Sequence, residues 1–195
     1  MDEGYIKYST QWLKTDIEIS DNLLNKINFY RSKLIDAGLI GKIPDGPGFG
    51  NISVKTQNNN FIITGSNTGG LKTLEKSHLS EVYKIDINKN TVWCKGHIVA
   101  SSESMSHYAI YKVKPVINSV IHVHSSELWN SLKNIYPVTN QKIAYGTPEL
   151  AHEIINICNK NNAEIIVLGG HVDGILIFGK TIEDAFLKIP FKHKI

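Results

Sequence analysis

The alternation of hydrophobic and polar positions along the chain predicts five helices. The first spans residues 19–38, where apolar side chains recur near helical spacing at Leu23, Leu24, Ile27, Leu34 and Ile35. Ser20 or Asp21 can cap its start, and Gly38 can end it. A second helix over 147–159 has a strong start signal, because Thr147 at the cap position precedes a proline and then Glu149. The segments 101–113, 127–133 and 181–189 also fit helices.

Short apolar runs between these helices predict strands at 51–56, 61–64, 82–87, 91–95, 119–124, 165–168 and 174–178. Glycine- or asparagine-rich turns separate several of them, at 41–50, 58–60, 65–70 and 88–90. Strands and helices mix without a regular strand–helix–strand repeat. This order favours a mixed or antiparallel sheet covered by helices over a doubly wound nucleotide-binding fold.

Composition indicates one globular domain over residues 1–195. The chain has 195 residues, of which 42% are hydrophobic and 20% are charged, and it shows no repeat or linker. The net charge of +3 comes from scattered lysines, so we expect no nucleic-acid partner. The N-terminus lacks the apolar core of a signal peptide, and no apolar stretch is long enough to span a membrane. With two distant cysteines and no Cys-x-x-Cys spacing, a cytoplasmic location is the expectation.

A His-x-His pair in the predicted strand 119–124 is the sharpest chemical feature. Side chains alternate between the two faces of a strand, so His122 and His124 project to the same side. Two imidazoles on one face can converge on one metal ion, although hydrogen-bonded histidines near a strand end give the same pattern. His171 follows an apolar run and a Gly-Gly pair, a loop-edge position where functional side chains are often placed.

Three histidine ligands leave a tetrahedral zinc ion with one open position, as in catalytic sites. Zinc is preferred for an imidazole set, while manganese and cobalt stay open. Glu103, near the start of a predicted helix, is the candidate general base; complementing the helix dipole is its alternative explanation. The segments 46–51, 66–70 and 101–102 could bind an anion through backbone N–H groups and hydroxyls, or could be ordinary turns.

Five short motifs occur in order along the chain. They are Gly50-Asn51-Ile52-Ser53, Ile63-Thr64-Gly65-Ser66, Ser101-Ser102-Glu103 followed by His107, His122-x-His124, and a late His171. This series resembles the class II aldolase/adducin family over about residues 20–188. Members of that family include fuculose-phosphate and rhamnulose-phosphate aldolases and ribulose-phosphate epimerases.

The resemblance implies a three-layer α/β/α fold with a central, largely antiparallel sheet, usually assembled as a homotetramer. It implies zinc bound by His122, His124 and His171, with Glu103 as the acid/base group and His107 as a supporting residue. It places the substrate phosphate at Asn51, Ser66, Asn67, Ser101 and Ser102. Asn67 stands where a glycine usually contributes its amide. A tyrosine often protonates the aldehyde oxygen in the aldolases, and Tyr136 and Tyr145 are possible equivalents.

The chain departs from the family pattern at the third histidine. The family usually has His followed directly by Gly, whereas here the sequence reads Gly170-His171-Val172-Asp173-Gly174. The expected function is a metal-dependent lyase that cleaves or forms a carbon–carbon bond in a small sugar phosphate through a metal-stabilised enediolate. Epimerases, dehydratases and decarboxylases on the same scaffold stay open as alternatives. So do a non-catalytic binding domain like the adducin heads and a domain whose histidines are structural.

Overall fold

A computed structural model of the chain describes residues 5–56 and 60–191. Within them it has five α-helices, whose predicted positions are all confirmed to within a few residues. Their bounds are α1 (Asp21–Asp36), α2 (Ser104–Val113), α3 (Ser126–Leu132), α4 (Pro148–Lys160) and α5 (Ile182–Leu187).

Hydroxyl side chains cap the N-termini of four of these helices. The oxygens of Ser20, Ser125, Thr147 and Thr181 each accept a hydrogen bond from a backbone N–H in the first turn of α1, α3, α4 and α5, respectively. Each satisfies a donor that the helix itself leaves without a partner. The cap predicted at Thr147 is therefore confirmed, and of the two candidates for α1, Ser20 and Asp21, the cap is Ser20.

Ten strands accompany the helices in the described part of the chain. They are β1 (Ser9–Leu13), β2 (Gly41–Lys42), β3 (Gly48–Phe49), β4 (Asn51–Lys55), β5 (Phe61–Thr64), β6 (Leu79–Asp86), β7 (Thr91–Lys95), β8 (Ser119–His124), β9 (Ile165–Val167) and β10 (Gly174–Gly179). Eight of them form one sheet in the order β1-β7-β6-β5-β4-β8-β10-β9, and β2 pairs with β3. In the large sheet β1 runs parallel to β7, and the other pairs are antiparallel. The sheet is thus mixed.

Two hydrophobic clusters lie on opposite faces of the large sheet. Helices α2 and α4 pack against one cluster, and α1, α3 and α5 pack against the other. Strand β8 shows the division, since Val120 belongs to the first cluster while Ile121 and Val123 belong to the second. His122 has the same parity as Val120, so it projects toward the α2 and α4 side.

The structure differs from the sequence expectations at several points. Helix α2 begins at Ser104, three residues later than expected, because residues 101–103 form a turn. In this turn the Ser104 N–H donates to the Ser101 carbonyl at 3.0 Å. Strand β1 was not predicted, nor was the β2–β3 pair within the 41–50 loop. The asparagine-rich turn expected at 58–60 falls mostly outside the described residues. Among the described helices, none is both long and apolar enough to cross a membrane.

Candidate active site

Three imidazole rings from two distant parts of the chain meet at the end of β8. His122 and His124 lie on that strand, and His171 lies in the turn between β9 and β10. One ligand nitrogen of each ring lies within 4.8 Å of those of the other two. Nε2 of His122 and Nε2 of His124 are 3.0 Å apart. The structure therefore brings together all three histidines that the sequence analysis singled out.

The surroundings of His122 fix how its ring can be used. Its Nδ1 lies 3.1 Å from the carbonyl oxygen of Ile175, and since a carbonyl only accepts, Nδ1 carries the proton. Burial holds the pKa of His122 well below its ordinary value, and the neighbouring imidazoles of His124 and His171 lower it further. The ring is thus neutral, with a lone pair on Nε2 directed at the centre of the cluster.

A tight turn places His171 despite the two residues that separate it from the next glycine. The N–H of Gly174 donates to the carbonyl of His171 at 2.9 Å, and Asp173 adopts a left-handed conformation with φ of 68°. Aspartate tolerates this conformation better than most residues. The two additional residues, Val172 and Asp173, thus fit within a four-residue turn, in which the Val172 side chain is exposed. The departure from the family motif consequently leaves His171 inside the cluster.

The glycine pair before His171 allows a close backbone approach. A Cβ added to Gly169 would lie 2.0 Å from the carbonyl oxygen of Thr139, and one added to Gly170 would lie 1.9 Å from that of Ile143. Larger residues at either position would push the 139–143 segment away. The Gly169 N–H also donates to the Thr139 hydroxyl at 2.9 Å, which ties the two segments together.

Glu103 lies beside the histidine cluster and is almost wholly buried, with 2% of its surface exposed. Its Oε1 is 3.6 Å from Nδ1 of His171. The residue precedes α2 at the cap position, yet its side chain makes no capping hydrogen bond. Its position at the start of α2 is thus compatible with both explanations, a general base beside His171 and a charge that complements the helix dipole.

The five residues expected to bind phosphate line one narrow pocket, formed by Gly48, Gly50, Asn51, Gly65, Ser66, Asn67, Thr68, Gly69, Ser101 and Ser102. Asn51 pairs with His122 across β4 and β8, so the pocket adjoins the histidine cluster. The Asn51 Oδ1 atom is buried and has no hydrogen-bond partner among the described residues. Asn67 has a φ of 60°, the left-handed conformation that a glycine adopts readily. Its backbone can thus take the shape that the usual glycine would take.

His107 lies one helical turn beyond Glu103 and is fully buried. Its Nδ1 is 2.7 Å from the Ser53 hydroxyl, which in turn is 2.7 Å from the hydroxyl of Tyr111. Burial lowers the pKa of His107 to about 3, so the ring stays neutral at ordinary pH. These contacts suit a residue that supports the packing between α2 and β4.

Of the two tyrosines considered, only Tyr145 lies at the site. Its ring stacks on His171 with 4.5 Å between centroids, and its hydroxyl accepts from the Tyr5 N–H at 3.2 Å. The Lys7 ammonium lies over the same ring, 3.9 Å from its centroid. Tyr136 packs instead against the hydrophobic cluster that α1, α3 and α5 cover.

The segment before β1 supports the site in a way that the sequence did not reveal. Tyr8 is buried, and its hydroxyl donates to the carbonyls of Ala100 at 3.1 Å and Ser101 at 2.9 Å. These carbonyls belong to the turn that carries Ser102 and Glu103. A lone tyrosine in a polar N-terminal segment has no local signature of this contact.

The histidine cluster fits a metal ion on the chemistry of its donors. Two nitrogens bound to one tetrahedral zinc ion at about 2.1 Å lie about 3.4 Å apart, close to the 3.0 Å between the two Nε2 atoms. The Ile175 carbonyl fixes the tautomer of His122 as such carbonyls do behind metal-bound histidines. His122 can therefore serve as a neutral nitrogen ligand, and His124 and His171 each offer a ring nitrogen close enough to share the same ion.

Comparisons with known proteins agree with these features. The family model of the class II aldolase and adducin N-terminal domain matches residues 46–191. An L-fuculose phosphate aldolase from Methanococcus vannielii is 32% identical over 162 residues, which cover 75% of this chain and 81% of that protein. The one from Methanocaldococcus jannaschii is 29% identical over 156 residues, covering 72% and 77%.

Solved structures show the same fold. An L-fuculose 1-phosphate aldolase superposes with a TM-score of 0.63 at 22% identity, covering 87% of this chain and 80% of that one. A sugar-phosphate aldolase from Thermotoga maritima superposes with a TM-score of 0.61 at 15% identity, covering 85% and 88%. From the family match and the curated relatives together, the chain belongs to the class II aldolase and adducin N-terminal domain family.

Proposed function

We propose that the protein is a metal-dependent aldolase that cleaves or forms a carbon–carbon bond in a small sugar phosphate, with zinc as its metal. One observation carries the proposal: the His122, His124 and His171 cluster adjoins both a buried carboxylate, Glu103, and the narrow pocket of hydroxyls and backbone amides. A reaction that removes a proton beside a carbonyl of a phosphorylated sugar needs these three features together.

His122, His124 and His171 would hold the metal. The bound ion would supply a Lewis acid that stabilises negative charge on the substrate oxygens. The neutral state of His122 keeps its Nε2 lone pair available for this. The carboxylate of Glu103 would accept, on one of its oxygens, the proton beside the substrate carbonyl during bond formation, and would return it to the same carbon after bond cleavage. Its burial would keep this exchange away from bulk water.

The phosphate would lie in the pocket lined by Asn51, Ser66, Asn67, Ser101 and Ser102. Hydroxyls and glycine-rich backbone supply donors there, which matches the acceptor-rich surface of a phosphate. The printed names of the relatives, L-fuculose phosphate aldolases, support a sugar phosphate as the substrate class. Anchoring this remote group would orient the reacting carbons at the histidine cluster.

The experiment combines metal analysis with one substitution. Purified protein should contain about one zinc ion per chain and should release dihydroxyacetone phosphate from L-fuculose 1-phosphate or a related ketose phosphate. Glu103→Gln should lower kcat about 100-fold or more while it leaves the metal content unchanged, because the amide keeps the shape and loses the base. The matched control is Glu149→Gln, at an exposed position in the first turn of α4.

Three outcomes would contradict the proposal. Full activity of the Glu103→Gln variant would remove that carboxylate from the mechanism. Protein that binds no divalent metal would favour the non-catalytic alternative that resembles the adducin heads. Metal-loaded protein that converts a sugar phosphate without carbon–carbon cleavage would favour the epimerase, dehydratase or decarboxylase alternatives.

We also propose that residues 1–195 form one three-layer α/β/α domain that assembles as a homotetramer. The two hydrophobic clusters on opposite faces of the sheet support the layers. The antiparallel pairs throughout the large sheet, except at the β1 edge, support its largely antiparallel character. Light scattering on a size-exclusion column should give the mass of four chains, and a monomer would contradict the assembly.

A further inference from the structure

Arg31 lies in the middle of α1 on the side that faces the protein interior. It is 1% exposed and lies between Ile27 and Leu34, which are fully buried on the same helix face. An arginine on a buried stripe is unusual, because the guanidinium must find hydrogen-bond acceptors to offset its loss of water. The acceptors that it finds belong to the loop of the proposed phosphate pocket.

The guanidinium donates to four backbone carbonyls of that loop. Its Nη2 donates to Thr68 at 2.6 Å and to Gly69 at 2.9 Å. Its Nη1 donates to Leu71, and to Lys72 at 3.4 Å. The fork of an arginine can reach carbonyls spread over five residues, whereas a lysine ammonium concentrates its donors at one point.

These bonds orient the loop's amide groups. In a trans peptide the N–H points opposite to the C=O. Since the carbonyls of Thr68 and Gly69 point at Arg31, the N–H groups of Gly69 and Gly70 point away from it. The backbone at Gly69 also packs closely against β2, because a Cβ added to Gly69 would lie 2.2 Å from the Gly41 carbonyl oxygen. The loop is therefore held by Arg31 and by its contact with β2.

The charge of Arg31 has no acidic counterpart, since no carboxylate in the described ranges 5–56 and 60–191 forms a salt bridge with it. Burial lowers its pKa to about 10, which still leaves the guanidinium protonated at neutral pH. A buried charge is screened less than an exposed one, so its field extends into the neighbouring pocket.

We propose that Arg31 is a positioning residue for the anion pocket, where it holds the 66–72 loop so that the amides stay available and adds a positive potential behind them. The inference rests on the proposed binding of a substrate phosphate in that pocket. Arg31 lies behind the loop and outside the region 46–191 that the family model matches.

The test measures the binding of inorganic phosphate by titration calorimetry on the full chain with its metal. Arg31→Met keeps the length of the side chain and removes both the fork and the charge, and we expect it to weaken phosphate binding at least tenfold. Arg31→Lys keeps the charge and loses the fork, and we expect binding at least threefold weaker than in the wild type. The matched control is Lys33→Met, an exposed cation on the same helix that should bind phosphate normally.

A second measurement separates positioning from general structure. Zinc content and zinc affinity at the histidine cluster should stay at wild-type values in the Arg31 variants, since a global loss of structure would lower both. If Arg31→Met fails to fold, Arg31→Lys decides the question. Wild-type phosphate affinity in either folded variant would overturn the inference for Arg31 alone. Wild-type protein that binds no phosphate would instead refute the proposed pocket, and the inference with it.

Discussion

Substitution of Tyr8 by phenylalanine tests how the segment before β1 supports the site. The change removes one buried hydroxyl and leaves the ring in the cluster that α2 and α4 cover. The hydroxyl donates to two carbonyls, those of Ala100 and Ser101. Ser101 keeps two other donors, the N–H and the hydroxyl of Ser104, so its carbonyl stays satisfied. The main cost therefore falls on the Ala100 carbonyl.

The expected magnitude follows from this count. Losing one net hydrogen bond and leaving one buried carbonyl poorly paired lowers the free energy of unfolding by about 1–2 kcal/mol. For a chain of this size, that change lowers Tm by about 3–6 °C. The turn that carries Ser102 and Glu103 also loses a tether, so we expect KM for the sugar phosphate to rise several-fold, because the groups that position the substrate are held less firmly.

Differential scanning calorimetry and steady-state kinetics measure the two effects. The control is Tyr83→Phe, which removes the hydroxyl of a tyrosine that is 42% exposed and should change Tm by less than about 1 °C. A Tyr8→Phe variant as stable as this control would show that the hydroxyl contributes nothing measurable. Lost stability with an unchanged KM would show that the Tyr8 hydroxyl stabilises the fold without positioning the pocket.

Two further predictions concern backbone shape and pH. Asn67→Gly should keep the stability of the wild type. Asn67→Val should lower the free energy of unfolding by about 1–2 kcal/mol, since a β-branched residue is strained at the observed φ of 60°. Urea unfolding measures the stability of both variants. Hydrogen bonds from the Lys188 side chain and the Lys180 N–H hold the pKa of Asp184 below its ordinary value. The ionised Asp184 carboxylate therefore contributes its full stabilisation of the folded state above the unfolded pKa of about 3.9. This stabilisation is lost as the pH falls through the lower pKa of the folded state. Asp184→Asn should have a lower free energy of unfolding than the wild type at neutral pH, and this difference should disappear in strong acid. A difference that persists in strong acid would contradict a stabilising role of the ionised carboxylate.

The sequence predicted the elements whose signals are local. The cap at Ser20 and the Thr147–Pro148 start each depend on residues within one helical turn, and both were confirmed. Strand geometry alone also predicts that the His122 and His124 side chains project from the same face of the strand. The convergence of His171 on that pair depended on the ordered series of motifs, because no rule of spacing connects residues almost fifty positions apart.

Other features of the site were decided by tertiary structure. Strand β1 has a polar pattern and pairs with β7 at the parallel edge of the sheet, across about eighty residues of chain. The carbonyls that Arg31 binds lie about forty residues away, and those that Tyr8 binds lie about ninety residues away. Such long-range contacts have no signature in the adjacent sequence, so no local pattern predicts them.

The sequence by itself therefore determined the helices, most strands and the identity of the candidate ligands, since caps, periodicity and motif order are properties of short segments. Only the tertiary structure decided that Glu103 lies beside His171, that Tyr145 stacks on it and that Arg31 holds the loop from behind. The physical reason is that these contacts depend on the register of the sheet and the packing of helices on its faces. Both are set by all the elements together.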